Sequence, residues 1–308
     1  MRPGIVTLLT DFGEGPYAAA MKGVILSAAP GAQVMDITHE VRPQDLMEGA
    51  FVLAAAAFEF PAGTVHAAVV DPGVGTARRV VIVEAGAQIF VAPDNGLLTL
   101  VLKKAEGGHC GEAPARTNGH GSSAEPFDVL KAMSVVEWLA ACPPCPYNAT
   151  YLRAWQVTNE NYFRHPVSAT FHGRDIIAPV AGAIAAGERL EAFGPEIPIE
   201  SLAGLIIPEP DQTPGGVLGE VIFVDRFGNL VTNIEAAVIE PLGPADELDF
   251  TCGGVTIRGL KRTYGDGAQG EILAIVGSFG HLEVAISGGN AQKSMSLGLG
   301  AGIMVRRR

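Results

Sequence analysis

"VVDPGVGTARRVVIVE" (residues 69–84) is the stretch that decides how the first half of the chain folds. Two apolar runs, one ending at Val70 and the next starting at Val80, have the make-up of buried strands. Between them stand Asp71, Pro72, Gly73, Gly75, Arg78 and Arg79. A plain hairpin needs only a short Gly/Asn turn, so the charge in this connection needs another explanation. Either an arginine here orients Asp71 or holds a ligand carboxylate, or the charges form a surface ion pair worth little. "GVGTAR" is not a dinucleotide fingerprint, because the third glycine is missing and no helix follows. Nor does it contain the Gly-Lys-Ser/Thr of a phosphate-binding loop. Pro72 and the glycines shape a tight loop that lets a ligand come close to backbone.

Outward from this loop, strand and helix signals alternate. "GIVTLLTDFG" is an apolar run ending in Asp11, and "GPYAAAMKGVILSAAP" has Pro16 at a first helical position and stops at Pro30-Gly31. "AQVMDITHEV" reads as strand, "RPQDLMEGAFVLAAAAFEFP" as helix, and "QIFVAPDNG" as a strand before the helix "GLLTLVLKKAE". Continuous apolar strands between helices predict a mostly parallel sheet covered on both faces. Ligands bind such sheets beyond the carboxyl ends of the strands, which is where Asp11, Asp36 and Asp71 fall.

Residues of about 105–150 break the pattern with a Gly/Ser/Pro-rich loop and one helix, "FDVLKAMSVVEWLAACPPCP", and read as an insertion. The core resumes near Trp155. "PEIPIESLAGLIIPEPDQTPGG" suits a linker, and after it short strands with Gly turns predict an antiparallel β domain, a barrel or sandwich. The expected organisation is an α/β domain over 1–193 carrying the insertion, a linker over 194–212 and a β domain over 213–308.

Bulk composition narrows the function. The 308 residues are 48% hydrophobic and 18% charged, enough for a real core. A net charge of −12 and a pI of about 5.0 speak against a nucleic-acid partner; Arg306-Arg307-Arg308, the one basic cluster, reads as a frayed tail. The apolar part of the N-terminus is too short for a secretory signal, and "GAFVLAAAAFEF" is too short to span a bilayer, so a cytoplasmic protein with no membrane partner is expected. Four cysteines do not make a disulfide scaffold.

Each candidate group has a functional and a plain reading. Asp11 either receives ribose hydroxyls, as strand-end acids do, or caps the next helix. The "TDFG" around it is not a kinase magnesium triplet, since the H-R-D loop is missing. His172 in "FHGRD", between an apparent strand "PVSAT" and a helix, is either an acid–base or orienting group or a structural cap. Asp225, Phe227, Asn229 and Asn233 share a hairpin in "VDRFGNLVTN", where Asp and Asn also satisfy turn geometry. Cys142 and Cys145 follow a helix rather than start one, which is the wrong end for a redox pair. A zinc site would need two more ligands, with Cys110, His109 and His120 in a loop.

Taken together, "LLTDFGEGPYAAAMKGVI", "VMDITHEV", "VVDPGVGTARR", "APDNGLLT", "FRHPVSATFHGRD", "VDRFGNLVTNI" and "GSFGHLEVAISGGNA" resemble the S-adenosyl-L-methionine (SAM) hydroxide adenosyltransferases. These are adenosine-forming SAM hydrolases related to fluorinase and chlorinase. The motifs run in family order across the chain, apart from about 105–150. The resemblance implies an N-terminal α/β domain, a C-terminal β domain and a homotrimer with active sites between subunits. It implies that Asp71, Arg78 and His172 form a water-activating triad and that Asp11 binds ribose. By the same resemblance Asp225 and Ser278 contact the methionine part, Asn229 contacts adenine, and Tyr264 forms an aromatic wall, with Phe227 also in the substrate site. Phe279 stands where halogenating relatives carry arginine, and Gly173 where they carry a serine that serves the halide.

The implied reaction is attack of water or hydroxide on C5′ of SAM. The sulfonium leaves as a neutral thioether, so no acid, metal or cofactor is expected, and SAM is the substrate. A carboxylate at Asp71 opposes halide as nucleophile by several kcal/mol, to order of magnitude, at reduced dielectric. A SAM or adenosine binder without turnover is the other reading, because a triad can also be a static ion-pair network.

Overall fold

A computed structural model describes residues 4–106 and 152–308. The helix and the Cys142/Cys145 pair expected within the insertion lie outside the described residues. The chain forms two compact units, Met1–Gly204 and Leu205–Arg308.

Unit 1 runs β1 (Ile5–Thr10), α1 (Pro16–Ala28), β2 (Gln33–Thr38), α2 (Leu46–Ala57), β3 (Val65–Val69), β4 (Val80–Ala85), β5 (Gln88–Pro93), α3 (Thr99–Glu106), β6 (Arg153–Gln156), α4 (Ala178–Ala185) and β7 (Glu196–Ile197). Its seven-stranded sheet has the order β2-β1-β3-β5-β4-β6-β7. The β2-β1-β3-β5 part is parallel. From β5 outward the pairing turns antiparallel. The reason is local: only Gly86 and Ala87 join β4 to β5, both with positive φ (55° and 62°). Such a primed turn leaves no room for a crossover helix.

Strand alternation splits the side chains between two cores. Val6, Leu8, Ala67 and Val69 face α1 and α4, together with Met21, Ile25, Val180 and Ile184. Leu9, Ala68, Val70 and Phe90 face α2 and α3, with Leu53, Leu97 and Val101. Asp45 caps α2 by accepting the Glu48 N–H at 2.9 Å, a contact worth about 1 kcal/mol.

Two local expectations change. "PVSAT" (166–170) is not a strand, because its backbone is bonded elsewhere: the Ser168 N–H goes to Asp175 Oδ2 at 2.9 Å. The first part of the proline-rich stretch is not a free linker. Glu196–Ile197 pairs with β6, and Ile197, Ile199 and Leu202 pack on the second core.

Unit 2 runs β8 (Asp211–Thr213), β9 (Gly216–Val224), β10 (Leu230–Glu235), α5 (Ala236–Ile239), β11 (Leu248–Cys252), β12 (Val255–Arg258), β13 (Leu260–Lys261), β14 (Ile272–Val276), β15 (His281–Ile286), α6 (Ala291–Met295) and β16 (Gly302–Arg307). Its nine-stranded sheet follows β12-β11-β16-β9-β10-β15-β14-β13, with β8 on β9. All pairs are antiparallel except β13 with β14. The core holds Val217, Leu230, Phe250, Leu282, Val284 and Ile303. The terminal arginines are not a frayed tail: Arg306 and Arg307 lie in β16 against β11, and Arg307 Nη2 is 2.6 Å from Glu247 Oε2.

Candidate functional site

The loop after β3 brings the first group of candidates together. β3 and β5 are adjacent and parallel, while β4 starts beyond β5 with Val80 opposite Pro93. The connection 70–79 therefore passes over the carboxyl end of β5. Gly75 (φ 81°) lets it turn, and a Cβ there would lie 2.6 Å from the Ala169 carbonyl oxygen. Asp71 and Arg78 stand at the two stems. Arg78 Nε donates to Asp71 Oδ1 at 2.8 Å and Oδ2 at 2.9 Å, and Nη2 also donates to Oδ2. The Arg78 and Asp71 side chains are only 9% and 5% exposed, so this is not the surface ion pair of the plain reading.

Arg78 Nη2 also lies 2.9 Å from Nδ1 of His172. His172 opens the helical segment that runs as a π-helical turn (Gly173–Ile177) into α4. π turns recur at functional sites because they re-aim side chains. Gly173 allows the close approach: a Cβ there would sit 3.2 Å from Met21 Sδ and 3.4 Å from Val69 Cγ2. Behind the turn, Asp175 is fully buried and binds Arg174 Nε at 2.7 Å, Arg164 Nη1 at 3.2 Å and the Ser168 N–H. Burial works to raise the Asp175 pKa, but these donors outweigh it and hold it below the usual carboxylate range.

The protonation state of His172 follows from its partner. A guanidinium only donates, so Nδ1 accepts from Arg78 and the ring proton is on Nε2. Burial and then the Arg78 charge lower the His172 pKa, against the pull of Asp71 and Asp175. His172 is therefore neutral at pH 7 and a donor through Nε2.

The stems are held from below by residues 94 and 95, just past β5. Asn95 Nδ2 donates to the Val70 carbonyl at 2.9 Å. Arg79 faces away from Arg78, as strand alternation requires, and its Nε donates to Asp94 Oδ2 at 2.8 Å. Asp94 Oδ1 accepts the Ala203 N–H at 2.8 Å, and Arg79 also reaches the Ser201 carbonyl.

Asp11 follows β1, and its Oδ2 accepts the N–H of Gln44 at 2.8 Å rather than capping α1. Gln44 has φ 65°.

Unit 2 gathers a second group around the β9–β10 turn. Asp225 accepts the Asn229 N–H on Oδ1 and the Asn229 Nδ2–H on Oδ2, both at 2.8 Å. Asn229 Nδ2 is 3.5 Å from Tyr264 Oη, which donates to Glu283 Oε2 at 2.7 Å. Phe227 is 76% exposed and Tyr264 45%, so both rings are presented to solvent. Ser278 lies in the turn between β14 and β15, which the Gly280 N–H closes on the Gly277 carbonyl at 3.0 Å. Asn233 is structural: its amide binds the Glu220 N–H and the Pro208 carbonyl, each at 2.8 Å.

The profile of the SAM hydroxide adenosyltransferase N-terminal domain matches residues 6–136 and 144–194, and that of the C-terminal domain matches 219–304. The chain belongs to the SAM hydroxide adenosyltransferase family. Among similar proteins, the (R)-S-adenosyl-L-methionine hydrolase of Thermus thermophilus is 39% identical over 99% of both chains. That of Salinispora tropica is 35% identical over 93% of this chain and 91% of its own. A fluorinase of Actinoplanes sp. is 27% identical over 91% and 90%. A solved structure of an uncharacterized conserved protein from Thermotoga maritima superposes with a TM-score of 0.77, at 31% identity, covering 98% of this chain and all of that one.

For a member of this adenosyltransferase family, the sequence signal was strongest at charged residues in apolar surroundings. Asp71, Arg78 and His172 meet in one cluster, and Asp225, Asn229 and Tyr264 in another; Asp11 and Ser278 stand apart from these hydrogen bonds. Glu283 escaped notice, although a lone acid inside "HLEVAI" is a signal for a buried carboxyl group. The supports Asp94, Asn95 and Asp175 also escaped, because their partners are distant in sequence.

Proposed function

We propose that the protein hydrolyses S-adenosyl-L-methionine to adenosine and L-methionine by attack of water at C5′. The observation that carries this reading is the single guanidinium of Arg78 bound at once to Asp71 and to His172. Family membership and the relatives named (R)-S-adenosyl-L-methionine hydrolase support it.

The chemistry needs one thing from the protein. The leaving group departs as a neutral thioether, while the nucleophile is water, with a free pKa near 15.7. An O–C5′ bond forms, the C5′–S bond breaks, its electron pair stays on sulfur, and the water proton moves to a base. Asp71 is that base: Arg78 engages both its oxygens, but a carboxylate has about four acceptor positions and keeps some free. Arg78 counters the developing hydroxide charge, and fixed donors of this kind are most effective in a buried site. His172, donating through Nε2, orients the oxygen. None of these steps requires a metal or cofactor.

In the same reading Asp11 receives the ribose, Asp225 and Ser278 the methionine part and Asn229 the adenine, with Tyr264 as an aromatic wall and Phe227 also in the substrate site. The active form is a homotrimer in the cytoplasm whose sites draw on neighbouring subunits. No helix among the described residues is long and apolar enough to cross a membrane, and the charge of −12 disfavours nucleic acid.

The test is incubation with the separated (R) and (S) sulfonium epimers, following products by chromatography. Adenosine and methionine in equal amounts, faster from the (R) epimer and abolished by Asp71→Asn, are expected. Tight binding without product would leave a SAM-binding protein, and 5′-halo-adenosine in halide buffer would make it a halogenase.

A further inference from the structure

Unit 2 buries a carboxyl group that no step above uses. Glu283, in β15, is 5% exposed. Its Oε2 accepts from the Tyr264 hydroxyl at 2.7 Å, and its Oε1 lies over Gly277, where a Cβ would collide with it. One side chain therefore touches both the aromatic wall and the turn that carries Ser278. Burial pushes the Glu283 pKa up, Asp225 pushes it the same way, and the Tyr264 hydrogen bond opposes them. Burying an acid in this setting costs stability, and an apolar side chain of similar volume packs at no such cost.

The hydrogen-bond directions follow from what each group can do. An ionised Glu283 only accepts, so it takes the one phenolic proton of Tyr264. The Tyr264 oxygen then accepts toward Asn229, whose Nδ2 also donates to Asp225. The Asn229 amide is held with its nitrogen toward these two partners, leaving its oxygen for a ligand N–H. We propose that Glu283 is a positioning residue for nucleoside recognition, fixing the Tyr264 ring and, through it, the Asn229 amide that meets an aminopurine. The identity of the ligand rests on the SAM-hydrolase reading.

The test uses the full-length protein and the variants E283M, E283Q, Y264F and E283M/Y264F. KM and kcat are measured with SAM, Kd with adenosine by calorimetry, and Tm by thermal unfolding. E283M is expected to melt at or above the wild-type temperature while KM and the adenosine Kd rise about tenfold, as for one lost hydrogen bond to a charged group. kcat should stay within about threefold. E283Q, which still accepts the phenolic proton, should recover most of the loss. Y264F should match E283M, and the double variant should be no worse than Y264F. An unchanged adenosine Kd in E283M, or losses that multiply in the double variant, would overturn the proposal. If E283M does not fold, an unchanged adenosine Kd in Y264F overturns it equally. Adenosine binding is read without turnover, so a protein that binds adenosine but leaves SAM intact contradicts the hydrolase reading and not this one.

Discussion

Nη2 of Arg78 lies 2.9 Å from Nδ1 of His172 while Nε of the same guanidinium lies 2.8 Å from Oδ1 of Asp71. Arg78 is thus the hub of the cluster, hydrogen-bonded to both outer groups at once. Arg78→Lys keeps the charge but cannot hold both partners, because an ammonium lacks the planar fork. kcat should fall about 10²-fold, in the range for losing a fixed electrostatic donor, with a smaller change in KM. Steady-state kinetics check this.

The same contact fixes a pH dependence. His172 has a pKa below the usual histidine value, from burial and then from Arg78. Protonation places an Nδ1–H against the guanidinium and breaks the contact. Activity is therefore retained at neutral pH and falls only as pH drops through the lowered His172 pKa. An NMR titration of the ring nitrogens should show the Nε2–H tautomer at pH 7 and a midpoint below 6.5. In Arg78→Ala that midpoint should move up.

The supports at residues 94 and 95 predict a kinetic phenotype away from the chemistry. Asn95→Ala removes the donor to the Val70 carbonyl beside Asp71, and Asp94→Ala removes the carboxylate partner of Arg79 beside Arg78. Misplacement of a reacting group by about 1 Å costs up to about 10²-fold in rate. Each variant should lose roughly tenfold to a hundredfold in kcat and bind adenosine as the wild type does, in calorimetry.

How far the sequence reached is clear at these positions. The continuous apolar runs gave the strands and the helix between them, since periodicity is local. The switch to antiparallel pairing at β5 was not visible as such, although Gly86-Ala87 carried the reason in two residues. The charged residues of the 69–84 loop were conspicuous, but their meeting with His172 depends on a contact 94 positions apart. Glu283 and Asp94 act through partners distant in sequence, Tyr264 19 positions away and Ala203 109 positions away, and a single sequence shows neither pairing.

His66 predicts an acid-sensitive fold. It is fully buried, stacked on Phe90 with centroids 4.9 Å apart, with Nδ1 2.7 Å from Thr7 Oγ1. Burial lowers its pKa to about 4, against 6.5 for an exposed histidine. The unfolded chain therefore binds the extra proton first, and stability present above pH 6.5 is lost as pH falls toward 4, by about 3 kcal/mol. Urea unfolding across that range should show the loss, and His66→Phe, which keeps a ring against Phe90, should flatten it.

Gly173→Ser tests whether the halogenase feature can be installed. Its Cβ would press on Met21 and Val69, so stability should fall by about 1 kcal/mol, read as a lower Tm. With Asp71 still in place, no 5′-halo-adenosine should form in halide buffer.

The central claim, attack of water at C5′ activated by Asp71, is tested most directly by turnover in ¹⁸O-labelled water. The account predicts one ¹⁸O in the 5′-hydroxyl of adenosine, none in methionine, and no product from Asp71→Asn. Unlabelled adenosine, or label entering methionine, would contradict it.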